Sequence, residues 1–291
     1  MPTYSWSVRH LFVSPHPDDA ALSCGGLILK LVDAGETVDI VTIFSGPGPG
    51  SFLTAYQRLA LGFGSHDRWE PGEAPEPGEA PEPSAENDAP SASEAMSLRR
   101  SEDRTYARTV GAGIRHLDLP DAVFRGYVGD GHLLGEPRSG DPSPVAEIGA
   151  AFRDLRPGRL YVPLAVGSHV DHRLARRAAL ALLAEALVAD GIRFYEDFPY
   201  AHNVGFEDPG QLDREFAASM PAAFRLVPEI VPIAEVVERK VAGLQAYPSQ
   251  LGRLFGGDDP MARAVRERAR DIGTQSGSTG AAERYWRLLR R

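Results

Sequence analysis

Apolar residues along the first two hundred positions fall into two alternating rhythms. A short unbroken run, Leu11-Phe12-Val13, precedes a stretch over 20–34 in which Leu22, Leu27, Ile28, Leu31 and Val32 recur at helical spacing. Gly35 then stands where helices commonly end in a left-handed residue. The next segment, Val38-Asp39-Ile40-Val41-Thr42-Ile43-Phe44, is dense in β-branched residues and predicts a second strand, so the three segments read as a βαβ unit. The alternation continues with a helix over 96–110, a strand over 114–119, a helix over 145–155, a strand over 160–162, a helix from 169 to about 189 and a strand over 192–195. After Tyr200 the pattern weakens: 230–246 reads as helix in part, and 281–291 as a basic helix with Trp286, Leu288 and Leu289 on one side. The expected fold is a Rossmann-like three-layer α/β domain over 1–291 with a mostly parallel sheet, in which 201–291 form a C-terminal elaboration. Gly25-Gly26 interrupts the first helix at a cost of about 1 kcal/mol each relative to alanine, which points to close packing there.

One segment follows neither rhythm. From Glu70 to Glu94 the chain carries eight acids, no lysine or arginine, and a near-repeat of Glu-Pro-Gly-Glu-Ala-Pro beginning at Glu70 and again at Glu76. Prolines oppose both helix and sheet and like charges repel, so 66–95 is expected to be a disordered insertion within the domain. Those eight acids account for nearly all of the net charge of -9, which leaves the remainder close to neutral. No basic stripe stands out, so nucleic acid is not an expected partner. The loop Ser45-Gly46-Pro47-Gly48-Pro49-Gly50 has neither a Lys-Ser/Thr partner nor GxGxxG spacing, which argues against a nucleotide cradle. Cys24, the only cysteine, excludes an intramolecular disulfide and reads as a buried packing residue. No apolar run has the length of a membrane span and the N-terminus lacks a signal-peptide pattern, so a cytoplasmic location is expected, with a homo-oligomer left open.

The polar residues sort onto one edge. His16, Asp18 and Asp19 follow the first strand, Asp121 the third, His169, Asp171 and His172 the fourth, and Glu196-Asp197 the fifth. In a parallel sheet these ends converge on a single crevice. His16, Asp19 and His172 make a two-histidine, one-carboxylate set suited to catalytic Zn²⁺ with an open position, and Fe²⁺ would accept the same set. A metal there would acidify water and polarise a carbonyl; Asp18, beside a ligand, would take the proton. His169 would stabilise the oxyanion or protonate the departing amine, with Asp171 fixing its tautomer. The competing reading is structural: Asp18 or Asp19 could cap the following helix, and His172 lies near a helix start. His202, after the fifth strand, is the remaining histidine nearest the crevice and a candidate substrate contact.

Pro15-His16-Pro17-Asp18-Asp19 together with His169-Val170-Asp171-His172 resembles the PIG-L/LmbE zinc N-deacetylases, which include the N-acetylglucosaminyl-phosphatidylinositol deacetylases and the deacetylases of mycothiol and bacillithiol biosynthesis. Arg99-Arg100-Ser101-Glu102, Leu117-Asp118-Leu119-Pro120-Asp121 and the stretch from Lys240 to Gln250 are similar to further segments of that family. The resemblance implies an LmbE-like fold, zinc on His16, Asp19 and His172, Asp18 as general base, and His169 as electrophile or acid supported by Asp171. It also implies that Arg99, and less directly Asp121, contacts sugar hydroxyls. The implied reaction removes an N-acetyl group from an amino sugar or glycosylated small molecule. The chain departs from the pattern at Ala20, where many members have glutamate, and at Gly167, where the mycothiol enzymes carry a tyrosine. Its near lack of lysine, with only Lys30 and Lys240, suits a GC-rich bacterial genome, in which such enzymes also tailor secondary metabolites. Two rival readings are an amidase for larger N-acyl groups, like the mycothiol-conjugate amidases, and a non-catalytic α/β module that merely holds a metal.

Overall fold

The computed structural model describes residues 8–48, 52–63, 90–184, 192–208, 212, 216, 224–278 and 280–290. Among these, seven strands form one sheet: β1 (Arg9–Ser14), β2 (Thr37–Thr42), β3 (Gly113–His116), β4 (Arg159–Pro163), β5 (Ile192–Tyr195), β6 (Phe224–Pro232) and β7 (Ala282–Arg290). Their order is β3-β2-β1-β4-β5-β7-β6. β1 to β5 pair in parallel, and β7 runs antiparallel to both β5 and β6. The helices are α1 (Asp19–Asp33), α2 (Ala55–Ala60), α3 (Ala92–Val110), α4 (Asp130–Leu133), α5 (Val145–Leu155), α6 (Val170–Ala184), α7 (Tyr200–Asn203), α8 (Val237–Leu244), α9 (Pro248–Phe255) and α10 (Asp258–Gln275), with a 3₁₀ turn at Ala122–Arg125.

Strand residues alternate between two cores because successive side chains point to opposite faces. Leu11 and Val13 of β1 join Val41, Leu160 and Val162 in a core closed by Ile148 and Phe152 of α5 and Ala175 and Leu182 of α6. Phe12, between them, faces the other core, with Leu22 and Ile28 of α1, Tyr106 of α3, Val241 of α8 and Val265 of α10. Burial on both faces explains why β1 reads as a continuous apolar run. The glycine pair in α1 answers to close packing, as expected. A Cβ on Gly26 would lie 2.7 Å from Ile233 Cγ2 and 2.8 Å from Glu283 Oε1. The Glu283 carboxylate accepts from the amides of Gly26 and Leu27 and pairs with Lys240 at 2.7 Å.

Three expectations change. The segment 281–291 is not a helix: Ala282–Arg290 forms β7, inserted between β5 and β6. Its charges mislead a pattern reading because both faces are covered. Tyr285 belongs to one core and Trp286 to the other, while Glu283 and Arg284 are buried with partners. Residues 230–232, read as helical, end β6, and helix begins only at Val237. The expected insertion over 66–95 lies mostly on residues outside those described. Its last part is ordered, since Ser91 caps α3 in a capping box with Glu94, and helix starts at Ala92. The predicted extension of α6 toward 189 also falls outside the described residues. Cys24 is fully buried, as expected.

Candidate active site

The strand order reverses direction between β1 and β4, and open α/β sheets form a crevice at the carboxyl ends of strands at such a point. β1 delivers Ser14, whose hydroxyl donates to the His16 carbonyl at 2.7 Å and accepts from the Ala20 amide at 3.0 Å. These two bonds tie the Pro15-His16-Pro17 turn to the first turn of α1. Asp18 occupies the N-cap position of α1 at φ 116°, ψ -34°, yet its side chain makes no capping bond. The capping alternative for Asp18 therefore does not hold. Asp19 turns back instead, accepting from the His16 amide at 2.8 Å and lying 3.1 Å from His16 Nδ1.

The other half comes from the turn between β4 and α6, where Ala165, Gly167 and Ser168 all have positive φ. His172 Nε2 lies 3.3 Å from Asp19 Oδ2, and its Nδ1 lies 2.6 Å from Asp197 Oδ1. Asp197 also accepts from the Val166 amide at 2.9 Å, so one carboxylate just past the end of β5 fixes both the turn and the ring. Donor atoms of His16, Asp19 and His172 lie within 4.8 Å of one another, and so do those of His16, His169 and Asp171. All five side chains are buried. His172 Nε2 is a buried nitrogen with no hydrogen-bond partner. An unpartnered imidazole nitrogen beside a carboxylate oxygen is the arrangement a cation completes, so His16, Asp19 and His172 fit a divalent metal.

Electrostatics point the same way. Burial opposes charge on His16, but the carboxylates of Asp121, Asp171 and Asp19 push its pKa up to about 9. His172 is raised well above its ordinary value, with Asp19 and Asp197 outweighing burial. Without a cation, protons on these rings supply the positive charge that the carboxylates demand. His169 goes the other way: burial and the cationic neighbours His16 and His172 push its pKa well down, keeping the ring neutral. The Asp171 amide donates to His169 Nδ1 at 3.3 Å, so the neutral ring carries its proton on Nε2. Burial raises Asp18 to about 7, against the pull of Arg99. That value suits a group that must gain and lose a proton near neutral pH.

Asp171 acts differently from expectation. Its carboxylate does not orient His169; it accepts from the Ala122 amide (2.9 Å) and Arg125 Nη2 (2.7 Å) and lies 3.0 Å from His16 Nε2. The tautomer of His169 is set by the Asp171 backbone. Arg99 is buried, donates to the Pro17 carbonyl at 3.1 Å and stands 3.5 Å from Asp18 and 3.8 Å from Asp121. Asp121 caps the 3₁₀ turn through Val123 N and lies 3.6 Å from His16 Nε2. A cleft of about 480 Å³ opens over these groups, lined by His16, Asp18, Asp19, Arg99, Asp121 and His169 together with Tyr200, Gln250 and Arg253. His202 is not among its lining residues. It is half-buried, with its ring 6.1 Å from that of Phe198.

Asp197, Arg125 and Tyr200 join the site without having been singled out as site residues. Asp197 had a signal, its place at the end of β5 beside Glu196; the two diverge, since Glu196 binds Arg268, Arg284 and Trp286 instead. Arg125 and Tyr200 had none in the sequence. The similarity of 240–250 to the family is explained by support: Ser249 donates to Glu102 at 2.6 Å and Tyr247 to Asp103 at 2.7 Å, holding α9 against the helix that carries Arg99.

A mostly parallel sheet with paired aspartates after β1 and two histidines after β4 defines the LmbE-like deacetylase architecture. The model of one family, PIG-L (GlcNAc-PI de-N-acetylase), matches residues 11–183, and the chain belongs to that family of hydrolytic N-deacetylases. A 2'-N-acetylparomamine deacetylase of Streptomyces fradiae is 32% identical over 266 residues, which covers 90% of this chain and 78% of that protein. One from Niallia circulans is 28% identical, covering 95% of this chain and 89% of its own. The crystal structure of a deacetylase from the teicoplanin biosynthesis pathway matches with a TM-score of 0.72 at 25% identity, over 97% of this chain and 98% of that one. No helix among the described residues is long and apolar enough to cross a membrane.

Proposed function

We propose that this protein hydrolyses the acetamide of an N-acetylated amino sugar, carried on a glycosylated small molecule, in a metal-dependent reaction. The observation that carries the reading is the pairing of Asp18, held near neutral pKa, with the His16, Asp19 and His172 cluster in one cleft. The named activities of the paromamine and teicoplanin-pathway relatives supply the substrate class. The identity of the metal is part of the proposal, with Zn²⁺ the choice that a two-histidine, one-carboxylate set favours.

A divalent cation on His16, Asp19 and His172 supplies Lewis acidity, which makes water more acidic and a carbonyl more electrophilic. Asp18 accepts a proton from the attacking water as the water oxygen bonds to the acyl carbon. Arg99, 3.5 Å away, favours the ionised form of that carboxylate against the effect of burial. His169, neutral with its proton on Nε2, donates toward the carbonyl oxygen as charge develops there. When the C–N bond breaks, the proton taken by Asp18 passes to the amine nitrogen, and acetate and a free amino sugar remain. Asp171 and Arg125 act by fixing the His16 ring from behind.

The test is acetate release from 2'-N-acetylparomamine and N-acetylglucosamine conjugates by the zinc-loaded protein. Asp18→Asn should lower kcat by about 10²–10⁴-fold with metal content unchanged. Undiminished turnover in the variant removes Asp18 as the base, and the lack of acetate from every N-acetyl amino sugar removes the reading.

A further inference from the structure

Tyr200 is unused by the scheme above. It opens α7 just after β5, and its ring stands edge-on to His172 (centroids 5.7 Å, 86°) and tilted to His169 (6.4 Å, 41°). It shares the cleft with His16, Asp18, Asp19 and His169. Two features fix it there. Gly167 lies at φ +86°, and a Cβ at that position would sit 2.9 Å from Tyr200 Cβ and 3.1 Å from its Cγ. The bare backbone at 167 is thus the surface on which the ring rests. Asp197, three residues before Tyr200, binds both Val166 N and His172 Nδ1, so the segment bearing the phenol is tied to the same turn and the same imidazole.

The hydroxyl nevertheless has no hydrogen-bond partner among the described residues. Tyr200 is only partly buried and lines the open cleft, so its O–H is free to meet a ligand that enters there. The neighbouring groups restrict what the partner can be. Desolvation, with smaller contributions from Asp19, Asp18 and Asp197 and against the pull of Arg253, holds the pKa of the phenol above its ordinary value. A phenol is protonated at neutral pH in any case and can donate its O–H to an acceptor that enters the cleft.

We propose that Tyr200 is a catalytic residue that donates a hydrogen bond from its hydroxyl to the carbonyl oxygen of the scissile amide, sharing that oxygen with His169 Nε2–H as it becomes anionic. As water oxygen bonds to the acyl carbon, the carbonyl π pair moves onto oxygen. It returns when the C–N bond breaks, and Tyr200 keeps its proton throughout. This rests on the deacetylase reading.

Tyr200→Phe keeps the ring on Gly167 and removes only the donor. Its kcat should fall by about 10²–10³-fold, with KM, zinc content and Tm near wild type. Unchanged kcat, or a rise in KM alone, overturns the proposal. An independent measurement uses methylphosphonate, a tetrahedral anion, titrated calorimetrically into the zinc-loaded protein. Tyr200→Phe should bind it at least tenfold more weakly than wild type, and equal affinity overturns the donor role. Should wild type release no acetate but retain this difference in binding, the deacetylase reading falls while the donor role stands.

Discussion

Asp18 combines two unfavourable features at one residue. A non-glycine backbone at φ 116° costs on the order of 1–3 kcal/mol, and its carboxylate is buried at 5% exposure. The surrounding bonds hold the turn in that shape, and the outcome is a carboxylate with a pKa raised to about 7. Arg99 opposes that rise, so Arg99→Met should shift the acid limb of kcat/KM to higher pH; a limb that stays put or moves down would separate Arg99 from Asp18. A second residue-scale prediction concerns Asp197. Asp197→Asn weakens the acceptor that fixes His172 and should lower metal affinity by about 10–100-fold, read by competition with a chelating dye. At this scale much was legible. His16, Asp18, Asp19, His169 and His172 announce themselves because costly polar groups cluster within a few positions of apolar strands. The partner of each was less so: Asp171 turned to His16 and Arg125 rather than to His169, since side-chain direction depends on neighbours far away in sequence.

Among the elements, α1 and β7 depend on one another. The glycine pair lets the Glu283 carboxylate reach the helix backbone, so Gly26→Ala should destabilise the protein by about 1–3 kcal/mol in urea unfolding despite the better helix propensity of alanine. A stabilised variant would show that the space is not needed. β7 also carries Arg284 and Trp286, which with Arg268 of α10 converge on Glu196. Glu196→Ala leaves two buried guanidinium groups without their carboxylate and should cost about 3–5 kcal/mol, measured by the same method. β1, α1, β2 and α5 were readable from periodicity because each buries apolar residues in a regular rhythm. β7 was not, because its buried charges are paired across elements and its two faces meet two different cores.

For the molecule as a whole, a divalent cation on the His16, Asp19 and His172 cluster would compete with protons for the same groups. The His16 pKa of about 9 exceeds its ordinary 6.5, so in metal-free protein this group's stabilisation is complete below pH 6.5 and fades as pH rises to about 9. Metal-free protein should therefore lose Tm across that window, while zinc-loaded protein holds it more nearly constant. Loading at pH 7 should release protons into a weakly buffered indicator solution. Zinc uptake without proton release would contradict the charged state of His16 and His172.

The sequence by itself determined the α/β class and picked out the strand-end polar residues that gather in one cleft, because periodicity and short-range clustering are local properties. Only the tertiary structure decided that β1 and β4 lie side by side, which joins His16 and Asp19 to His172 across more than 150 positions. It also turned the C-terminal segment into a strand of the same sheet and set Tyr200 against Gly167. Each of these depends on which surfaces meet after the chain has folded, and local pattern carries no record of that.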